Sequence, residues 1–168
     1  MKIAIVYCSR HGGTDKIVSL IAQKLEENDV QSFNLLKCSP PSIKDFDTLI
    51  IGGPIYFGMI QTPLKQFCAL NQKALVKKQY ALFVSSILEG EELNQFEEAF
   101  SLTLLIHSKA NACLGGELRY DKLSFFEKLI FRNIQNARQG IYNINYAAID
   151  QFVYSIKFGT PNPRRCIM

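Results

Sequence analysis

Short apolar runs alternate along the chain with stretches whose apolar residues recur at helical spacing. The first run, Lys2–Tyr7, is rich in β-branched residues and lacks polar alternation, as a strand covered on both faces should. Asp15–Asn28 follows as a helix, with Ile17, Val18, Ile21, Ala22 and Leu25 on one face. Val30–Leu36 reads as a second strand, Cys38–Asp45 as a loop carrying Pro40 and Pro41, and Thr48–Gly52 as a short buried third strand. Pro63 suits the opening turn of a helix running to about Leu70. Tyr80–Ser85 predicts the fourth strand, Glu91–His107 a helix, and Ala110–Leu118 a fifth strand loosened by Gly115 and Gly116. Asp121–Gly140 reads as helical in part. Asn145 then caps a last helix whose inner stripe is Ile149, Phe152, Val153 and Ile156.

Five strands, each followed by a helix, predict an α/β three-layer sandwich around a five-stranded parallel sheet. Two strand orders are common for such a sheet, 2-1-3-4-5 and the dinucleotide-binding order, and ligand chemistry at the strand ends must choose between them. The expected domain covers residues 1–158, with Gly159–Met168, which holds two prolines and two arginines, as a loose tail. A chain of 168 residues with 48% apolar and 20% charged positions is ordinary for one globular domain. No run of eighteen or more apolar residues exists to span a bilayer. The chain opens straight into its first strand, without the blocks of a signal peptide, so a cytoplasmic location is expected.

Five scattered cysteines with no CxxC pair argue against a disulfide framework or a zinc site. Most read as buried thiols, and Cys8, beside a candidate ligand loop, is a lesser candidate for a redox thiol. The net charge of +4 is small, and no Lys/Arg block exceeds two residues, so nucleic acid is not an expected partner. No metal-ligand spacing, paired carboxylates or nucleophile–histidine arrangement stands out around the two histidines, His11 and His107.

Three loops carry candidate chemistry. Ser9-Arg10-His11-Gly12-Gly13-Thr14 joins the first strand to the first helix and sets hydroxyls, glycines and backbone N–H groups at a helix N-terminus, which favours an anion. Its plainer reading is a Gly-rich turn that caps a helix. It is neither GxGxxG nor a GKS/T loop, which favours a mononucleotide over a dinucleotide or nucleoside triphosphate. Gly53-Pro54-Ile55-Tyr56-Phe57-Gly58 follows the third strand, where ligands of open α/β sheets bind, and Tyr56 and Phe57 offer flat apolar faces. Taken alone, such aromatics serve equally well as core. Ser85-Ser86-Ile87-Leu88-Glu89-Gly90, after the fourth strand, supplies backbone amides for the polar edge of a ring; alone it is a weak signal.

Together these loops resemble the flavodoxin family. The Ser/Thr-x-x-Gly-x-Thr phosphate loop is matched at Ser9, Gly12 and Thr14, and the Gly-x-Pro-Ile-Tyr-x-Gly loop is matched through Gly58. The resemblance implies the flavodoxin-like order 2-1-3-4-5. It also implies FMN as cofactor, with its phosphate on the first loop (Ser9 to Thr14) and its isoalloxazine between Pro54–Gly58 and Ser85, Ser86, Ile87, Leu88 and Gly90. His11 departs from the family, where many members carry a further Thr.

A narrower resemblance lies in Leu114-Gly115-Gly116-Glu117-Leu118-Arg119-Tyr120 and the following Lys122–Lys128, which look like the menaquinone-dependent protoporphyrinogen oxidases and their flavodoxin-domain relatives. It implies electron transfer from a porphyrinogen to a quinone. Glu89–Asn111 is poorer in basic residues than the corresponding oxidase segment, so the substrate stays open. Leu123–Ile134 places Leu123, Phe125, Phe126, Leu129, Ile130 and Ile134 on one helical face and Ser124, Glu127, Lys128 and Arg132 on the other. The plain reading is a covering helix on the sheet; the sharper one is peripheral contact with the inner face of a membrane, or with a quinone. Two functions therefore compete: a flavin enzyme linked to quinone, and a carrier that shuttles electrons between redox partner proteins. The positive charge, unusual in soluble shuttles of this fold, favours the enzyme. A third reading, a regulatory relative without FMN, would require the phosphate loop to be vestigial.

Overall fold

The computed structural model describes residues 1–56, 59–86, 92–118, 128 and 141–159. The elements run β1 (Lys2–Tyr7), α1 (Gly13–Lys24), β2 (Asp29–Asn34), a 3-10 turn at Ile43–Asp45, β3 (Thr48–Tyr56), β4 (Met59–Ile60), α2 (Thr62–Leu75) and β5 (Gln79–Ser85). They continue as α3 (Glu92–Ala99), α4 (Leu102–His107), β6 (Asn111–Cys113), β7 (Gly115–Leu118), β8 (Ile141–Ile144) and α5 (Tyr146–Phe158).

The main sheet has the order β2-β1-β3-β5-β6, all parallel. This is the 2-1-3-4-5 order expected of the five principal strands, because β4 only folds back against the end of β3. Side chains on a strand alternate between faces, so each strand feeds two cores. Ile3 and Ile5 join Ile50, Ala81 and Phe83 under α1 and α5, through Ile17, Val18 and Ile21 and through Ile149, Phe152, Val153 and Ile156. Ala4 and Val6 join Leu49, Ile51, Leu82 and Val84 under α2, α3 and α4. Both faces of the sheet are thus covered, which is why its strands read as continuous apolar runs. Phe83 and Phe152 meet edge to face at 6.3 Å between ring centroids and help to seat α5.

Helix ends shift, α1 spanning Gly13–Lys24 where Asp15–Asn28 was expected and α2 running to Leu75 where about Leu70 was expected, and four larger features differ from the sequence expectation. The third strand runs on to Tyr56 and hairpins back through Met59–Ile60, because Ile55 and Tyr56 favour extended backbone. The expected helix Glu91–His107 is broken at Ser101, whose extended backbone and side chain restart it as α4, with Oγ accepting from Leu104 N. Ala110–Leu118 is not one strand. Gly115, at φ 69°, turns the chain out of the parallel sheet, and β7 instead pairs antiparallel with β8. That pairing makes Ile141–Ile144 a strand that its own sequence did not announce. The amphipathic segment Leu123–Ile134, apart from Lys128, lies outside the described residues, as does the tail beyond Gly159.

Candidate functional site

Register brings the starts of the three candidate loops to one edge of the sheet. Tyr7 of β1 pairs with Gly52 of β3, and Pro54 of β3 pairs with Ser85 of β5. The first loop, the β3 extension and Ser85–Ser86 therefore share the carboxyl end of the strands, where open α/β sheets bind ligands.

The first loop has the geometry of an anion cradle. Gly12 adopts φ 94°, a left-handed conformation that favours glycine, and offers no side-chain cap to α1. The opening N–H groups of a helix have no acceptor within it, so those of Gly13, Thr14 and Asp15 point out of the start of α1. Gly13 closes the cradle on its inner side: a Cβ there would lie 2.5 Å from the Glu117 carbonyl oxygen of β7. Lys16 pairs with the Glu117 carboxylate at 3.4 Å and ties the same two elements together. Thr14 is buried, Arg10 is exposed, and His11 and Gly12 are half-buried.

Ser9 is placed differently from the sequence expectation. It was expected to offer its hydroxyl to the ligand, but that hydroxyl donates to Asp15 Oδ2. Tyr7 donates its hydroxyl to Asp15 Oδ1 at 2.9 Å, and burial, followed by this contact with the carboxylate, pushes the Tyr7 phenol up. The Ser9 peptide is held by Asn34, the last residue of β2. Sequence reading missed both Asp15 and Asn34. A carboxylate in the first turn of a helix is a visible signal, but it reads as ordinary dipole compensation.

On the second loop, Pro54 is buried and Ile55 half-buried, while Phe57 and Gly58 lie outside the described residues and only the backbone of Tyr56 is described. Gly53 packs closely under α2; a Cβ there would sit 3.2 Å from Leu64 Cδ2, with Cys8 N at an ordinary 3.7 Å. Gln61, which starts α2 directly behind this loop, has its Oε1 buried without a hydrogen-bond partner. On the third loop, Ser85 and Ser86 are buried and Ser86 N donates to Gly115 O at 3.0 Å; Ile87, Leu88 and Gly90 lie outside the described residues. Cys8 is buried at this edge, and burial pushes its thiol up to about 11, which leaves it protonated and unreactive at neutral pH.

Residues 4–143 match the flavodoxin domain family. The chain belongs to that family. Its cofactor is FMN, and the uncapped, glycine-walled start of α1 fits a phosphate as that cofactor requires. Among curated proteins, the chain is similar to the protoporphyrinogen IX dehydrogenase [quinone] of Escherichia coli K12, at 21% identity over 148 residues, 83% of this chain and 82% of that one. Among solved structures it is similar to a short-chain flavodoxin associated with a non-canonical PDU bacterial microcompartment, at TM-score 0.62 and 14% identity, covering 95% of this chain and 99% of that one. The flavodoxin of Streptococcus pneumonia TIGR4 gives TM-score 0.58 at 14% identity, over 94% and 98% of the two chains. At these identities the solved structures speak for the fold. Among the described residues no helix is long and apolar enough to cross a membrane.

Proposed function

We propose that this chain is an FMN-dependent oxidoreductase that takes electrons from a reduced porphyrinogen and passes them to a quinone. The observation that carries the cofactor part is the start of α1, where a left-handed Gly12 and the close-packed Gly13 leave the first turn without a side-chain cap at the ligand end of the sheet; its N–H groups, which have no acceptor within the helix, would meet an anion there. Arg10, His11 and Thr14 line the same loop and would hold the phosphate together with those amides. Pro54–Gly58 and Ser85–Gly90 would flank the ring, with the aromatic faces of Tyr56 and Phe57 excluding water from it. When bound, FMN supplies the hydride and electron chemistry. The protein orients it and, through backbone amides near the ring, sets its potential.

The donor and acceptor rest on the similarity to the Escherichia coli dehydrogenase, whose name states both. In this reading residues 1–158 are the working domain. The segment Leu123–Ile134 meets the inner face of a membrane from the cytoplasm, aided by Lys122, Lys128 and Arg132. Attraction to anionic lipid is worth about 1 kcal/mol per basic residue and fades with salt.

A second reading, a carrier that shuttles electrons between redox proteins, is favoured by Asp15. Both of its carboxylate oxygens are occupied by Tyr7 and Ser9, so it is not poised to move a substrate proton. Steady-state oxidation of protoporphyrinogen by FMN-loaded protein, with a menaquinone analogue as acceptor, separates the two. Turnover, together with liposome co-sedimentation that weakens at high salt, supports the enzyme. Absence of both from loaded protein leaves the carrier.

A further inference from the structure

Every polar group of Ser9 that a ligand would be expected to use is already committed inside the protein. Its N–H donates to Asn34 Oδ1 at 3.2 Å, its carbonyl accepts from Asn34 Nδ2 at 2.9 Å, and its hydroxyl donates to Asp15. A serine hydroxyl has one proton, so while Asp15 holds it Ser9 has only lone pairs to show a phosphate, and these repel one. Asn34 is buried at 6% exposure, and its Oδ1 accepts a second bond from Leu36 N at 3.1 Å. Two N–H groups against one atom and a carbonyl against the other fix which end of the amide is oxygen; the flipped amide would face donors with donors. β2 is itself anchored to β1 at this point, since Leu35 N donates to Tyr7 O at 2.8 Å. The last residue of β2 thus grips the first residue of the anion loop through both its backbone N–H and its carbonyl, on the two peptide groups that flank Ser9.

We propose that Asn34 is the positioning residue of the anion loop. By clamping the Ser9 peptide it fixes where the chain departs for Gly12 and α1, so that phosphate recognition falls to the amides of Gly13, Thr14 and Asp15, not to the Ser9 hydroxyl. The inference rests on the FMN reading above and adds to it a residue on a different strand, without ligand contact, that sets selectivity for the phosphorylated flavin.

The test compares FMN and riboflavin binding, by fluorescence quenching, to the full-length wild type, Asn34→Leu, Asn34→Asp and Ser9→Ala. Folding of each is checked by circular dichroism and urea midpoint. Asn34→Leu keeps the branched heavy-atom shape, though with bulkier methyl groups, and loses all three hydrogen bonds; the preference for FMN over riboflavin should fall about ten-fold while riboflavin affinity holds. Ser9→Ala should keep most of the preference, since its hydroxyl does not face the ligand. Asn34→Asp turns the donor that serves Ser9 O into an acceptor. Its preference should be low at pH 8 and return toward the wild-type value measured at the same pH as the carboxyl protonates, which burial and the facing Ser9 carbonyl move to above about pH 4. A purely structural role would lower both flavin affinities together, and acid would restore both together without moving the preference. A folded Asn34→Leu with the wild-type preference, or an Asn34→Asp preference that does not move with pH relative to wild type, overturns the inference and leaves the FMN reading standing. Wild type that does not prefer FMN overturns both. Should Asn34→Leu not fold, the Asn34→Asp pH profile decides alone.

Discussion

Gly13→Ala tests the link between the cradle and the strand behind it. The added methyl would lie 2.5 Å from the Glu117 carbonyl oxygen and 3.4 Å from its carbon. Comfortable contact needs about 3.5 Å, so α1 or β7 must retreat by roughly 1 Å. Neither yields easily, because Glu117 is a backbone partner of Tyr142 in the β7–β8 pair and its side chain holds Lys16. Overpacking of this kind costs about 1–3 kcal/mol. Ala gains up to about 1 kcal/mol over Gly in a helix interior and less at its first residue. The net expectation is a loss of about 1–2 kcal/mol, or roughly 2–8 °C in melting temperature for a chain of this size. Urea titration and calorimetry on flavin-free protein measure it directly. Gly53→Ala is the milder comparison, since its nearest new neighbour is the Leu64 side chain at 3.2 Å, not backbone. Gly13→Ala with stability equal to or above wild type would refute the claim that β7 walls the cradle.

Thr14→Ala removes a buried hydroxyl from the anion loop and should weaken FMN about ten-fold or more while sparing riboflavin, as read by parallel fluorescence titrations. Phe152→Ala empties the α5 contact with Phe83 and should cost about 3–5 kcal/mol by urea unfolding. Among the described cysteines, iodoacetamide at pH 8 should modify exposed Cys38 first, with Cys8 and Cys68 protected until the protein opens; peptide mapping by mass spectrometry reads the order. Burial pushes the Cys8 thiol up to about 11 and the Cys68 thiol up to about 12, against 9.0 for an ordinary thiol. Native protein therefore holds protons that the unfolded chain releases. The stability from these thiols is complete below pH 9 and declines as pH rises through 11 to 12, which alkaline urea midpoints should follow.

The parts of the fold legible in the sequence are those where one short segment meets a complete environment. Lys2–Tyr7 and Tyr80–Ser85 are buried on both faces, so their apolar runs declare them without reference to any partner. The strand order was open on pattern alone, and the loop chemistry chose correctly. The pairing of β7 with β8 was not legible, because a four-residue strand depends on a partner more than twenty residues away, across Arg119–Gly140. The break at Ser101 was hidden because the apolar spacing continues through it, and only the cap geometry marks the restart. In the candidate site, the glycines and their order could be read directly, since backbone conformation is their function. Asp15 and Asn34 could not, because their roles arise from the registration of β2 beside β1 and from the turn of α1 over Tyr7. Ser9 shows the same limit from the other side: its residue type suggested a ligand contact, and its neighbours took the proton.

Titration of flavin-free protein with FMN, followed by isothermal calorimetry and fluorescence quenching, tests the central claim most directly. One FMN should bind per chain, with quenched fluorescence and clearly higher affinity than riboflavin. Saturating FMN that produces neither heat nor quenching in folded protein would contradict the account.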